Sequence, residues 1–79
     1  MKRFEEYDVV RVTRLLTPHR QVDGTEGVMR PPEVGDLGTV VHILHDAGGN
    51  WKYMVECVDR GGMTVWLCDF DHQELEVQP

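Results

Sequence analysis

The stretch that decides the fold is residues 51–68, WKYMVECVDRGGMTVWLC. In its first eight residues Trp51, Tyr53, Val55 and Cys57 fall on one face of an extended chain, with Lys52 and Glu56 on the other. An apolar residue at every second position is typical of a β-strand with one buried face. The segment DRGG follows as a tight turn, and residues 63–68 repeat the strand pattern. The stretch therefore predicts a β-hairpin.

The turn also limits how the two cysteines can lie. In the two registers that it allows, Cys57 faces either Trp66 or Thr64, and in neither does it face Cys68. We therefore expect no cross-strand disulfide and two ordinary, partly buried thiols.

Three further β-rich runs lie outside the hairpin, at residues 8–16, 38–44 and 74–77. Glycine and proline separate them, most densely in residues 17–36, which we interpret as a long loop. In the last run Leu75 and Val77 are expected to point inward and the acidic residues outward.

A single helical turn is predicted just before the last strand, at residues 69–73, with Asp69 as its N-cap. No helix of ten or more residues is indicated anywhere. The sequence thus predicts an all-β fold, a small five-stranded SH3-like barrel with a long loop after strand 1 and a short helical turn before the last strand.

With 79 residues the chain has room for one domain, 1–79, in which residues 1–6 form an N-terminal arm. No apolar run approaches the ~20 residues that cross a bilayer, and the basic N-terminus lacks the apolar stretch of a signal peptide. We expect a cytoplasmic protein that has no membrane partner.

Charge bears on the choice of partner. Eight Lys and Arg residues face fourteen Asp and Glu residues, so the formal net charge is −6. Nucleic-acid binding usually needs a basic surface, and the overall charge argues against it. The residues that would carry such binding lie in the first half of the chain: Arg11, Arg14, Arg20 and Arg30.

No constellation for catalysis stands out. The chain has no Ser, which excludes a Ser-His-Asp triad. Asp69, Asp71 and His72 cluster, but a capped, solvated turn explains them better than a metal site does. His42 and His45 are three apart on a strand and point to opposite faces. We predict no catalytic, cofactor-binding or metal-binding residue, and a protein that is not an enzyme.

Several segments resemble known families. Residues 8–12, DVVRV, and 35–41, GDLGTVV, resemble short bacterial proteins grouped as a domain of unknown function. The Gly-x-x-Gly-x-Val stretch at 35–40 is similar to the KOW motif of ribosomal and transcription-factor barrels. The tail at 65–76 looks like the end of the SH3-like domain of the nitrile hydratase β subunit, and Arg30-Pro31-Pro32 is similar to an Arg-Leu-Pro segment there.

The resemblance covers most of residues 7–77. It implies an accessory barrel that packs on other protein. It does not imply nitrile hydration, because that chemistry belongs to a partner α subunit with a cysteine cluster that this chain lacks.

The favoured function is therefore a protein-interaction barrel that forms a homo-oligomer or docks on a protein partner. If Val65 and Leu67 face the core, Trp66 faces outward, and an exposed Trp predicts a contact surface. The alternative, in which the 17–36 loop covers Trp66, stays open, as do a KOW-like nucleic-acid barrel and an accessory subunit of a nitrile-hydratase-like metalloenzyme. The predicted partner-binding residues are Trp66, Met54, Met29, Arg30, Pro31 and Pro32.

Overall fold

A computed structural model describes residues 3–16 and 30–78 of the chain. Their strands form one antiparallel sheet in the order β4-β3-β2-β1-β5. A 3₁₀ turn precedes the last strand. This confirms the predicted fold, an all-β SH3-like arrangement with its long connection after β1. The bounds are β1 Val9–Val12, β2 Leu37–His45, β3 Trp51–Val58, β4 Thr64–Asp71, the 3₁₀ turn His72–Glu74, and β5 Leu75–Val77.

A single core joins the two ends of the sheet. Val10 and Val12 from β1 and Leu75 from β5 pack in one cluster with residues of β3 and β4. Since β1 and β5 lie at the opposite end of the strand order from β4, the sheet must curve around this cluster. The largest side chains that are almost fully buried are Trp66, Tyr53 and Phe70.

Trp66 belongs to this core, so the prediction that it faces outward is wrong. Cys57 pairs with Trp66, as one of the two registers predicted, but Val58 pairs with Thr64. Val65 is thus the extra residue of a β-bulge, which breaks the alternation of faces. Both Val65 (8% exposed) and Trp66 (0% exposed) are buried in consequence.

Trp51 also differs from its expected place. It heads the buried face of β3, yet 38% of it is exposed, whereas Tyr53 and Val55 are fully buried. Trp51 is the first residue of its strand and pairs with His45, the last residue of β2. The paired ends of β2 and β3 therefore extend past the core, and Trp51 lies at this end, where it is partly exposed.

The N-cap of the helical turn lies two residues later than the sequence suggested. Phe70 and Asp71 continue the pairing of β4 with β3, so Asp71 precedes the turn in place of Asp69. Glu74, expected to point outward, is only 1% exposed, whereas Val77 is 43% exposed.

Glu74 can be buried because both its carboxylate oxygens accept backbone hydrogen bonds. Oε1 accepts from the Asp71 N–H at 2.9 Å and Oε2 from the Leu16 N–H at 2.8 Å. A buried carboxylate with such donors avoids the cost of an unsatisfied charge. Glu74 thereby holds the chain that leaves β1 against the 3₁₀ turn.

Both central hairpin turns have the same construction. In each, an Asp Oδ1 accepts from the N–H groups two and four residues later, at 2.8 to 3.0 Å. The fourth residue of each is a glycine with positive φ, Gly49 at +84° and Gly62 at +82°, a conformation that glycine adopts without strain. The two aspartates are Asp46 and Asp59.

Neither Cys57 nor Cys68 forms a disulfide, as expected, and both are buried more completely than predicted. Within residues 3–16 and 30–78, no helix is long and apolar enough to cross a membrane.

Candidate functional site

The residues predicted to bind a partner do not form one exposed surface. Trp66 is in the core and Pro32 is buried, while Met54 and Arg30 are half-buried and Pro31 is exposed. Met29 lies outside the described residues.

Asp36 explains why Trp66 is covered. Its Oδ2 accepts from the Trp66 indole Nε1–H at 2.9 Å and from the Glu33 N–H at 2.9 Å. The Arg30 guanidinium binds both oxygens of the same carboxylate, at 2.7 and 2.9 Å. The alternative interpretation of Trp66 thus gains support, because the described end of the 17–36 loop lies against this side chain.

This network changes the ionisation of Asp36. Partial burial opposes the charged form, but hydrogen bonds from Arg30, the Glu33 N–H and Trp66 outweigh burial and lower the pKa of Asp36. The carboxylate is therefore charged at neutral pH and acts as the structural link between the loop and the core.

The arginines named for nucleic-acid binding are mostly engaged. Arg11 forms an ion pair with Glu76 across β1 and β5, and Arg30 is held by Asp36. Arg14 is exposed, and Arg20 lies outside the described residues. Carboxylate partners neutralise two of these four cations, which weakens the case for a phosphate-binding surface.

The described residues instead form an open cleft around Trp51. Its volume is about 380 Å³, and it lies between the β2–β3 turn and the 3₁₀ turn. One wall is Gly49 and Asn50, and the opposite wall is Asp71, His72 and Gln73.

The Trp51 ring is oriented by its own hairpin. The His45 ring stacks on it, with centroids 4.3 Å apart and planes at 25°. His45 Nε2 is in turn 2.7 Å from the Gly49 carbonyl oxygen, and Asp46 fixes the turn that carries Gly49. The indole is therefore exposed but rigidly placed.

The N-terminal arm reaches the same place. Phe4 is buried, and its ring stacks on His72 at 4.5 Å with planes 9° apart. The Phe4 N–H donates to the Tyr53 hydroxyl at 3.3 Å, and that hydroxyl lies 3.1 Å from His72 Nδ1. Anchored in this way, the arm brings the Arg3 guanidinium over the Trp51 ring, 5.1 Å from its centroid.

The surroundings of the cleft are acidic. Lys52 Nζ is 2.7 Å from Asp71 Oδ1. The hydrogen bond that Lys52 donates to Asp71 raises the pKa of Lys52 despite partial burial, and the charges of Asp71, Asp69 and Asp46 add to the effect. One lysine thus faces three carboxylates, which favours a cation as an additional ligand.

The described residues hold no group of three or more His, Cys, Asp or Glu side chains placed to bind a metal ion. Burial, with the charge of Asp36, raises the pKa of the Cys57 thiol, so it is protonated at neutral pH and a poor nucleophile.

Sequence reasoning missed Trp51, Arg3 and Asp36 as functional or organising residues. One signal was available for Trp51: an aromatic residue directly after a turn starts its strand at the rim of the sheet. No local pattern could reveal the contact of Arg3 with Trp51, because the two residues lie far apart in the sequence.

A comparison with protein families matches residues 6–77 to one described as Domain of unknown function (DUF4926). The curated proteins gave no match, and the solved structures gave none either. The expected resemblance to short proteins of unknown function is thereby confirmed. The resemblances to the nitrile hydratase β subunit and to KOW barrels stay predictions.

Proposed function

We propose that this chain, which belongs to the family Domain of unknown function (DUF4926), is a non-enzymatic barrel that binds a segment of another protein in the Trp51 cleft. The observation that carries the proposal is the exposed, rigidly stacked Trp51 ring in a cleft of about 380 Å³. Trp is enriched among the residues that dominate binding energy at protein interfaces.

The form of the cleft supports this assignment. It is open, with the backbone of a tight turn on one side and the side chains of Asp71, His72 and Gln73 on the other. A Trp ring fixed by His45 loses little side-chain entropy on binding, which favours affinity. Only a short segment of the partner protein needs to enter the cleft.

Site-specific photo-crosslinking tests the proposal. A photoreactive phenylalanine analogue replaces Gln73, which is exposed and lines the cleft, and the labelled chain is irradiated in its native cells. We expect a discrete adduct with one protein, and its loss when Trp51→Ala is added.

Arg60 provides the matched control. It is exposed and lies in the other hairpin turn, so the same analogue there samples the surface away from the cleft. An adduct of equal yield from position 60, or a Gln73 adduct that survives Trp51→Ala, would refute the proposal.

Self-association is a second candidate, supported by a different surface. Val9, Leu37 and Val58 are 46%, 49% and 51% exposed and line a shallow depression on the outer face of β1, β2 and β3. Light scattering after size-exclusion chromatography tests it. A dimer that Leu37→Lys converts to a monomer supports this candidate, and a wild-type monomer at high concentration removes it.

Nucleic-acid binding and an accessory role beside a nitrile-hydratase-like metalloenzyme remain predictions from the sequence. The ion pairs of Arg11 and Arg30 disfavour the first.

A further inference from the structure

We propose that the Trp51 cleft takes an arginine side chain of the partner protein, and that Arg3 of the chain's own N-terminal arm competes for the same ring. This inference rests on the proposed function and adds the chemistry of the ligand and a built-in competitor.

The first step is the observed occupant. The Arg3 guanidinium carbon lies 5.1 Å from the centroid of the Trp51 ring, within the range at which a cation is attracted to an aromatic face. Arg is the cation most often found in this role, since its planar group also stacks on the ring. The chain itself thus shows which chemistry the exposed indole accepts.

The second step is the charge around the ring. Asp71 lines the cleft, and Asp46 begins the turn that forms its opposite wall. Asp69 is a third carboxylate that acts on Lys52, so three carboxylates stand against the two cations Lys52 and Arg3, and the local charge remains negative. The net charge of −6 acts in the same direction. A cationic segment is therefore favoured over an acidic one both in approach and in the bound state.

The third step is that Arg3 can leave without disturbing the fold. Its side chain is 40% exposed, and its ion pair with Glu5, at 3.6 Å, is exposed as well. The adjacent Phe4 is the residue that anchors the arm, by stacking on His72 and by its backbone hydrogen bond to Tyr53. Displacing Arg3 therefore breaks one weak contact and leaves the anchor in place.

The test uses fluorescence anisotropy with a labelled, glycine-rich peptide that carries two arginines, and with the same peptide carrying citrulline in their place. Citrulline keeps the planar shape of the arginine side chain but has no charge, and a carbonyl oxygen replaces one of its terminal nitrogens. We expect the arginine peptide to bind at least about five-fold more tightly than the citrulline peptide, as loss of a cation–π and ionic contact implies. Trp51→Ala should remove most of the difference and leave only the part that the carboxylates contribute, and Trp51→Phe, which keeps a ring, should retain more of it.

Competition by Arg3 is tested with two variants that change the net charge equally. Arg3→Gln should tighten the arginine peptide by roughly two- to five-fold, because the ring is no longer occupied part of the time. Arg60→Gln removes the same charge from the opposite end of β3, roughly 23 Å away at about 3.3 Å per residue. It should leave the affinity nearly unchanged.

Equal affinities for the arginine and citrulline peptides would overturn the inference, as would equal effects of Arg3→Gln and Arg60→Gln. If the arginine peptide fails to bind while crosslinking from Gln73 still depends on Trp51, this inference is wrong and the proposed function stands. If that crosslinking is independent of Trp51, the proposed function is wrong as well. Thermal unfolding of each variant confirms that it is folded.

Discussion

The two tryptophans stand in opposite environments, and each is the reverse of what strand alternation predicts. Trp66 lies inside β4, is fully buried, and donates its indole N–H to Asp36. Trp51 begins β3, is 38% exposed, and contacts the His45 ring and the Arg3 guanidinium. The Trp66 indole fills part of the core, whereas the Trp51 indole forms part of the surface.

The difference shows that the alternation of side chains along a strand predicts which face a residue occupies only under two conditions. The strand pairing must be regular, and that part of the strand must lie over the core. The bulge at Val65 turns Trp66 inward, and the position at the strand end leaves Trp51 at the rim. Function is therefore expected at Trp51, where a large aromatic area is available at low conformational cost.

The largest expected effect is from loss of Trp66. Trp66→Ala should destabilise the fold by about 3–5 kcal/mol, because it leaves a cavity and takes a donor from Asp36. Trp51→Ala should cost about 1 kcal/mol or less, since much of that ring is already exposed. Urea unfolding followed by far-UV circular dichroism measures both. Similar losses in the two variants would contradict the comparison.

Next comes the carboxylate that links the loop to Trp66. Asp36→Asn should cost about 1–3 kcal/mol at pH 7, because charge-assisted bonds from Arg30 are lost. The folded pKa of Asp36 is lowered, so its contribution is present above the ordinary value of about 3.9 and is lost as pH falls through the folded pKa.

The gap in stability between wild type and Asp36→Asn should therefore close at low pH. Urea unfolding between pH 7 and pH 2 measures it, with Glu6→Gln as the control, because Glu6 is an exposed acid on the N-terminal arm. A gap that does not depend on pH would show that the charge of Asp36 is not what stabilises the loop.

A smaller loss of stability is expected from removing the aspartate of either hairpin turn, and the two variants should differ only in binding. Asp46→Ala and Asp59→Ala remove the same hydrogen bonds from turns of the same construction, so both should lower Tm by a similar few degrees. Only Asp46→Ala should also weaken binding at the cleft, because its turn holds Gly49 and His45 beside Trp51. Equal binding by the two variants would show that the turn does not orient the ring.

The smallest effect concerns the joint between the arm and β1. Tyr7 has φ +70° and is 74% exposed, and a bulky residue in this region is strained. Asn tolerates it better, so Tyr7→Asn should stabilise the fold by up to about 1 kcal/mol while Arg3 keeps its contact with Trp51. A loss of stability of that size would show that the Tyr7 side chain supports the arm.

Much of the fold could be predicted from the sequence, because it depends on short-range patterns. The alternation in residues 51–58 gave the bounds of β3, and the glycine pairs located both hairpins. The bulge at Val65 could not be predicted, because a single unpaired residue produces no recognisable pattern in the local sequence. The burial of Glu74 depends on the Leu16 N–H, 58 residues away.

The candidate site was harder to predict because its parts come from three separate segments. The arm supplies Arg3, one hairpin supplies His45 and Trp51, and the 3₁₀ turn supplies Asp71 and His72. No segment has a sequence pattern that marks a binding site by itself. The curvature of the sheet brings the three segments together.

The most direct test follows the two indole N–H signals in one ¹H–¹⁵N correlation spectrum as the arginine peptide is added. Trp51→Phe assigns them, since it removes one of the two. The account predicts that the Trp51 signal moves and saturates, while the Trp66 signal, hydrogen-bonded to Asp36, stays in place. A shift of the Trp66 signal, or none at Trp51, would contradict it.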